Sequence, residues 1–210
     1  MYKHVIFDFD MTLVDTSKGS AFCYEMAFKA AGGIFNKENL SLYMGEFLDA
    51  TYNRIANPLI TYEEFEKTFY YYSHRFMAEQ SILFPEVKKV LNELGKYVVL
   101  SIVTNKDEKC VFEILKFHNI PIHMFECIIC CDEVINKKPH PEALIKCMNR
   151  LNANKLESIY IGDNMKDVEF ANNAGIDSIR VNREKHINLK ENEIESLFGL
   201  IEGDLSVIKK

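Results

Sequence analysis

His4-Val5-Ile6-Phe7-Asp8-Phe9-Asp10-Met11-Thr12-Leu13-Val14-Asp15 is the stretch from which the rest of the chain can be read. An apolar and β-branched run over residues 4–9 predicts a strand, and the run ends in two aspartates separated by a single residue. In extended chain, residues two apart point to the same face, so Asp8 and Asp10 form a pair at the strand's carboxyl end.

Four later runs have the same character, over residues 97–104, 126–130, 158–161 and 177–181. Helical patterns separate them. Residues 107–118 carry Val111, Ile114 and Leu115 on one side behind Asp107 as an N-cap. Residues 141–151 place Leu144, Cys147, Met148 and Leu151 at helical spacing, and a further helix from about Met165 stops at Gly175. Strands alternating with helices predict an α/β fold, a doubly wound and mostly parallel sheet.

The first two runs are instead separated by a long stretch that reads as helix throughout, and we read it as an inserted unit. Its helices are expected over residues 18–31, ending at Gly32-Gly33, and over residues 46–57, ending before Pro58. A third opens at the capping box Thr61-x-x-Glu64, with Phe65, Phe69, Tyr72 and Phe76 as a core-facing stripe. This places a helical insertion at residues 16–80, between core segments 1–15 and 81–210. A helix over 86–94 leads into the second strand, and residues 191–200 read as a last surface helix.

Ligands of open α/β sheets bind outside the carboxyl ends of the strands. Here those ends are polar: Asp8 and Asp10 after the first strand, Thr104-Asn105-Lys106 after the second, Lys137-Lys138-Pro139 after the third, Gly162-Asp163 with Asp167 after the fourth. Asp8, Asp10, Asp163 and Asp167 together would be four carboxylates in one crevice, tolerable only if a cation or protons neutralise them. Hard oxygen ligands suit Mg²⁺ rather than zinc. The Thr104 hydroxyl, the Asn105 backbone N–H beside the following helix and the Lys138 ammonium are donors of the kind a phosphate takes.

These strings resemble, in order and in strand context, the four motifs of the haloacid dehalogenase (HAD) superfamily: 8–15 the first, Thr104-Asn105-Lys106 the second, Lys138-Pro139-His140-Pro141 the third, and Gly162-Asp163-Asn164-Met165-Lys166-Asp167 the fourth. The helical insertion after the first motif resembles the cap of the phosphoglycolate phosphatase and β-phosphoglucomutase branch. One departure is Met11, where the family usually has glycine. The resemblance implies a HAD-type phosphoric monoester hydrolase, with residues 16–80 closing over a small phosphorylated metabolite. Asp8 would attack phosphorus and form an aspartyl-phosphate, and Asp10 would act as acid and then base. It also implies Mg²⁺ held by Asp8, Asp163, the backbone of Asp10 and Asp167, with Thr12, Thr104, Asn105 and Lys138 on the phosphate. Gly45, Glu46 and Arg54 are, by the same resemblance, candidates for a cap loop that reads the substrate. A phosphomutase would use the same residues, and a non-catalytic phosphate-binding module is the rival from another class. Phosphoglycolate, a sugar phosphate, a nucleotide and pyrophosphate all fit the motifs.

The 210-residue chain carries 25 Lys and Arg against 31 Asp and Glu, a net charge of -6, which argues against nucleic acid or an anionic membrane as the main partner. The N-terminus resembles neither a signal peptide nor an anchor, and no apolar run approaches the roughly 18 residues of a membrane span, so a cytoplasmic protein is expected. Oligomeric state has no signature in the sequence. In a reducing compartment the six cysteines are expected to be buried thiols. Cys127 and Cys130 resemble half of a zinc site without its second half. His140 and Asp15 read as turn residues.

Overall fold

The computed structural model describes residues 2–45, 47–183 and 189–202. Along the chain, β1 His4–Phe7 and β2 Val14–Asp15 precede the helices α1 Ser17–Ala30, α2 Leu40–Gly45, α3 Leu48–Tyr52 and α4 Tyr62–Gln80. Strands and helices then alternate through β3 Ile82–Leu83, α5 Val87–Leu94, β4 Val99–Val103, α6 Glu108–Phe117 and β5 Cys127–Ile129. Last come α7 Glu142–Leu151, β6 Ser158–Gly162, α8 Met165–Ala174, β7 Asp177–Val181 and β8 Glu193–Ile194. The chain divides into two compact units, residues 1–14 with 83–210, and residues 15–82.

The first unit is built on a six-stranded sheet ordered β5-β4-β1-β6-β7-β8, with every pairing parallel. Its central strand is apolar without alternation: Val5, Ile6 and Phe7 are all fully buried, as a strand covered on both faces requires. Ala143, Leu144, Cys147 and Met148 of α7 and Phe170, Ala171 and Ala174 of α8 cover one face, packing with Ile6, Val103, Ile129 and Tyr160. Asp107 caps α6 by accepting from Cys110 N, and Gly175 ends α8 in the left-handed conformation at φ 73°. Because β1 lies between β4 and β6, the carboxyl ends of these three strands open side by side.

The second unit is helical. Tyr24, Ala27 and Phe28 of α1 pack with Phe65 of α4, which opens at the Thr61–Glu64 capping box. Burying side chains of this size contributes roughly 1.5–3 kcal/mol each. The stripe on α4 divides its work: Phe65 is fully buried, while Tyr72 and Phe76 meet Phe22 edge-on.

Two segments differ from the sequence reading. Instead of one helix over 46–57, the described residues there hold the short α3, with Phe47 extended (ψ 152°) as its N-cap; α2 precedes it as a helix the sequence reading did not place, and Glu46 lies outside the described residues. Instead of a helix over 191–200, Glu193–Ile194 joins the sheet beside β7, and only Leu197–Leu200 turns helically, as a 3-10 segment. Asn192, at φ 63°, interrupts any helix there, and pairing with Arg180 and Val181 satisfies the strand's backbone. The six cysteines are all buried free thiols. Among the described residues no helix is long and apolar enough to cross a membrane.

Candidate active site

Asp8 follows β1 directly, and its N–H still donates to the Ile161 carbonyl at 2.8 Å, so the sheet fixes its backbone. The chain then doubles back. Met11 N donates to Val14 O at 2.7 Å and Leu13 N to Phe9 O at 3.0 Å. Met11 makes this turn at φ 60°, the left-handed region that favours glycine and costs other residues roughly 1–2 kcal/mol. The family's usual glycine is therefore a backbone requirement, which Met11 meets under strain. The Thr12 hydroxyl is buried and has no partner among the described residues.

Thr104, at the end of β4, accepts from Lys106 N at 3.2 Å. Lys106 in turn reaches back to Asp10, with Nζ 3.1 Å from Oδ1, and is nearly buried. Burial pulls the Lys106 ammonium toward neutrality, but Asp10 more than reverses this and holds it charged. Asn105 clasps the Lys138 peptide group: its Oδ1 accepts from Lys138 N at 3.0 Å and its Nδ2 donates to Lys138 O at 3.4 Å. The Lys138–Pro139 bond is cis.

The Lys138 ammonium thereby arrives between three oxygens: Asp8 Oδ1 at 2.7 Å, Asp167 Oδ1 at 2.9 Å and the Tyr160 hydroxyl at 3.1 Å. Tyr160 donates its own proton to Val103 O at 2.8 Å, which leaves a lone pair for the lysine. Burial works against the Lys138 charge, yet Asp167 and Asp8 raise its pKa well above the ordinary lysine value.

After β6, Asn164 caps α8 by accepting from Lys166 N and Asp167 N, while Asp167 Oδ2 accepts from Asp163 N at 3.1 Å and Asn164 N at 3.2 Å. This capping box needs a bare backbone at Gly162, where a Cβ would run into the Asp167 side chain. Asp167 thus caps the helix with one oxygen and faces Lys138 with the other. His140 stands in a surface turn, its Nδ1 accepting from Glu142 N.

Carboxylate oxygens of Asp8, Asp163 and Asp167 lie within 4.8 Å of one another. Burial, with Asp167 and Asp163 nearby, pushes the Asp8 carboxyl up to about 8 despite Lys138; burial and Asp167 push Asp163 to about 7. One lysine does not neutralise three carboxylates of which Asp8 and Asp167 are buried and Asp163 half-buried, so without another cation protons must do so. All the donors are hard oxygens, the set that suits Mg²⁺. The Asp10 carboxylate stands outside this trio, on Lys106.

Of the residues read from the sequence, the fold brings together Asp8, Lys138, Asp163 and Asp167, with Asn105 supporting Lys138 and Asp10 paired to Lys106. Tyr160, Gly162 and the Lys106–Asp10 pair were not assigned roles in that reading. Lys106 and Gly162 both stood inside motifs. Tyr160 gave no signal, because an aromatic in a buried strand reads as core.

A parallel sheet with an aspartate directly after its central β1, two further aspartates after β6 and a lysine from the chain after β5 beside it is the frame of the site. Residues 5–181 match the haloacid dehalogenase-like hydrolase model, and the chain belongs to that family. Among its relatives, phosphoglycolate phosphatase of Photorhabdus laumondii is 31% identical over 181 residues, covering 82% of this chain and 77% of the relative. Pyrophosphatase PpaX of Oceanobacillus iheyensis is 30% identical over 184 residues, covering 85% and 83%. A haloacid dehalogenase-like protein from Bacteroides fragilis has the same fold at a TM-score of 0.86 and 27% identity, over 96% of this chain and 100% of that one. The chain is thus an enzyme of a hydrolase family in which these curated relatives carry phosphatase names.

Proposed function

We propose that this chain is a Mg²⁺-dependent phosphatase that hydrolyses a small phosphate monoester through an aspartyl-phosphate on Asp8. The observation that carries the reading is the buried Asp8 carboxylate, 2.7 Å from Lys138 and grouped with Asp163 and Asp167. Residues 1–15 and 81–210 are the catalytic core in this reading, and 16–80 the helical cap. Acidity and relatives named for phosphoglycolate and pyrophosphate support a small phosphorylated metabolite, handled in the cytoplasm, over a nucleic acid.

Asp8, Asp163, Asp167 and the Asp10 backbone carbonyl would hold Mg²⁺, which supplies charge neutralisation for the phosphoryl oxygens. An Asp8 oxygen attacks phosphorus, and the bond from phosphorus to the ester oxygen breaks. Asp10 gives its proton to the departing oxygen, then takes one from the water that cleaves the aspartyl-phosphate and releases inorganic phosphate. Lys106, on Asp10 Oδ1, sets the orientation of that acid and base. Lys138, Thr104, Thr12 and the Asn105 N–H hold the transferring group, and the Thr12 hydroxyl, without a partner among the described residues, gains one.

The test is inorganic phosphate release from a panel including phosphoglycolate, sugar phosphates, nucleotides and pyrophosphate, with Mg²⁺ and with EDTA. Metal-dependent release lost in Asp8→Asn is expected. A phosphomutase would consume sugar phosphate without accumulating phosphate, and no turnover of any ester would leave a binding module.

A further inference from the structure

Two arginines near the end of β7 stand apart from the catalytic groups yet reach the backbone of both acidic loops. Arg180 Nε donates to the Asp163 carbonyl at 3.0 Å, while its other arm meets Glu193 Oε1 at 2.9 Å. Arg183 donates to the Thr12 carbonyl at 3.1 Å and to Glu86 Oε1 at 2.7 Å, its guanidinium stacked 3.6 Å from the Phe84 ring centre. Both glutamates are buried, at 7% and 3% exposure, so neither ion pair is an ordinary surface contact.

Each glutamate is also tied to the chain after β7. Glu193 belongs to β8 and accepts from Lys190 N at 3.1 Å and Asn182 Nδ2 at 3.5 Å. Glu86 accepts from Leu197 N at 3.4 Å as well as from Arg183. Residues 189–202 are therefore more than a surface tail.

We propose that Arg180 and Arg183 are positioning residues: a two-point clamp, anchored on Glu193 and Glu86, that fixes the backbone of the Asp163 loop and of the Asp8–Thr12 turn. The planar guanidinium suits the task, since it donates in two directions at once, to a carboxylate and to a carbonyl, where an ammonium offers a point charge. The Asp163 carbonyl is one bond system away from a carboxylate of the acidic trio. The Thr12 carbonyl lies in the turn that Met11 makes at φ 60° and Phe9 O and Val14 O close. This inference rests on the proposed function for its kinetic arm and on the acidic cluster alone for its binding arm.

The experiment compares full-length wild type with Arg180→Lys and Arg183→Lys. Charge-neutral doubles, Arg180→Gln/Glu193→Gln and Arg183→Gln/Glu86→Gln, serve if a lysine variant fails to fold. Arg150→Lys, in a surface pair with Glu133, is the control. Mg²⁺ affinity is read by calorimetry and turnover with p-nitrophenyl phosphate. Loss of the Arg180 arm is expected to weaken Mg²⁺ binding about tenfold or more, the usual effect of removing a group that orients a ligand. Loss of the Arg183 arm is expected to lower kcat about tenfold with KM within about twofold, since the turn it holds carries Asp8 and Thr12, whose contacts with the transferring phosphoryl group tighten in the transition state. Folded variants with unchanged Mg²⁺ affinity and unchanged kcat would overturn the clamp. If wild type turns over no ester, the phosphatase reading fails, and Mg²⁺ affinity alone still decides the Arg180 arm.

Discussion

The Lys138 ammonium lies 2.7 Å from Asp8 Oδ1, a buried ion pair closed across 130 positions of chain. Asn105 grips the Lys138 backbone on both its N–H and its carbonyl, and Tyr160 accepts one of its ammonium protons, so the lysine is held by Asp8 after β1, Asn105 after β4 and Tyr160 within β6. Lys138→Met should lower kcat by about a hundredfold or more, the scale for loss of one preorganised donor at a developing charge. Activity within about tenfold of wild type would contradict the role given to this lysine.

Tyr160→Phe leaves ring and packing in place and removes only the hydroxyl between Lys138 Nζ and Val103 O. A loss of about 1–2 kcal/mol is expected, because the Val103 carbonyl is left without this donor. A shift in denaturation midpoint of that size, together with a several-fold fall in kcat, is the signature; full activity would show that Lys138 needs no third partner.

The acidic trio makes stability depend on pH with a definite sign. The folded-state pKa of Asp8 is raised from 3.8 to about 8, and that of Asp163 from 3.8 to about 7, by burial and by mutual repulsion. Between about pH 4 and those values the folded protein holds more protons than the unfolded chain, so its stability falls as pH rises. In the proposed reading, Mg²⁺ would take the place of those protons. The rise in Tm on adding Mg²⁺ should therefore be small near about pH 5 and largest above about pH 8. Thermal scans with EDTA and with Mg²⁺ across that range check this, and a pH-independent increment would refute it.

Gly162→Ala places a methyl group against the Asp167 side chain. The clash is with the root of a short side chain that caps α8, so Asp167 must leave its place. A destabilisation of about 1–3 kcal/mol is expected from overpacking, with weaker Mg²⁺ binding, read by denaturant melts and calorimetry. Met11→Gly works in the opposite direction. At φ 60° the glycine relieves strain that outweighs its greater freedom when unfolded, so stability should hold or rise by up to about 1 kcal/mol.

The sheet and the acidic loops were legible because β1, β4, β5 and β6 are apolar runs followed by polar residues, and that grammar survives without tertiary knowledge. Asp8, Asp163, Asp167 and Lys138 all sit at such endings. What was hidden depends on contacts between distant positions. β8 is only Glu193–Ile194, too short and too polar to read as a strand, and it forms because β7 offers an open edge. The break between α2 and α3 turns on the backbone of Phe47, which no periodicity marks. Arg183 meets Thr12 across 171 positions, and nothing local to either residue announces it.

The most direct test of the account is a chemical trap of the intermediate. Enzyme mixed with substrate and Mg²⁺, quenched in acid and reduced with borohydride, should yield homoserine at position 8, because an acyl phosphate is reduced where a free carboxylate is not. Peptide mass analysis reads the change directly. Homoserine at Asp8 in turning-over wild type, and none without substrate, is the expected result. Steady phosphate release with Asp8 unmodified, or the modification at another aspartate, would contradict the assignment of Asp8 as the nucleophile.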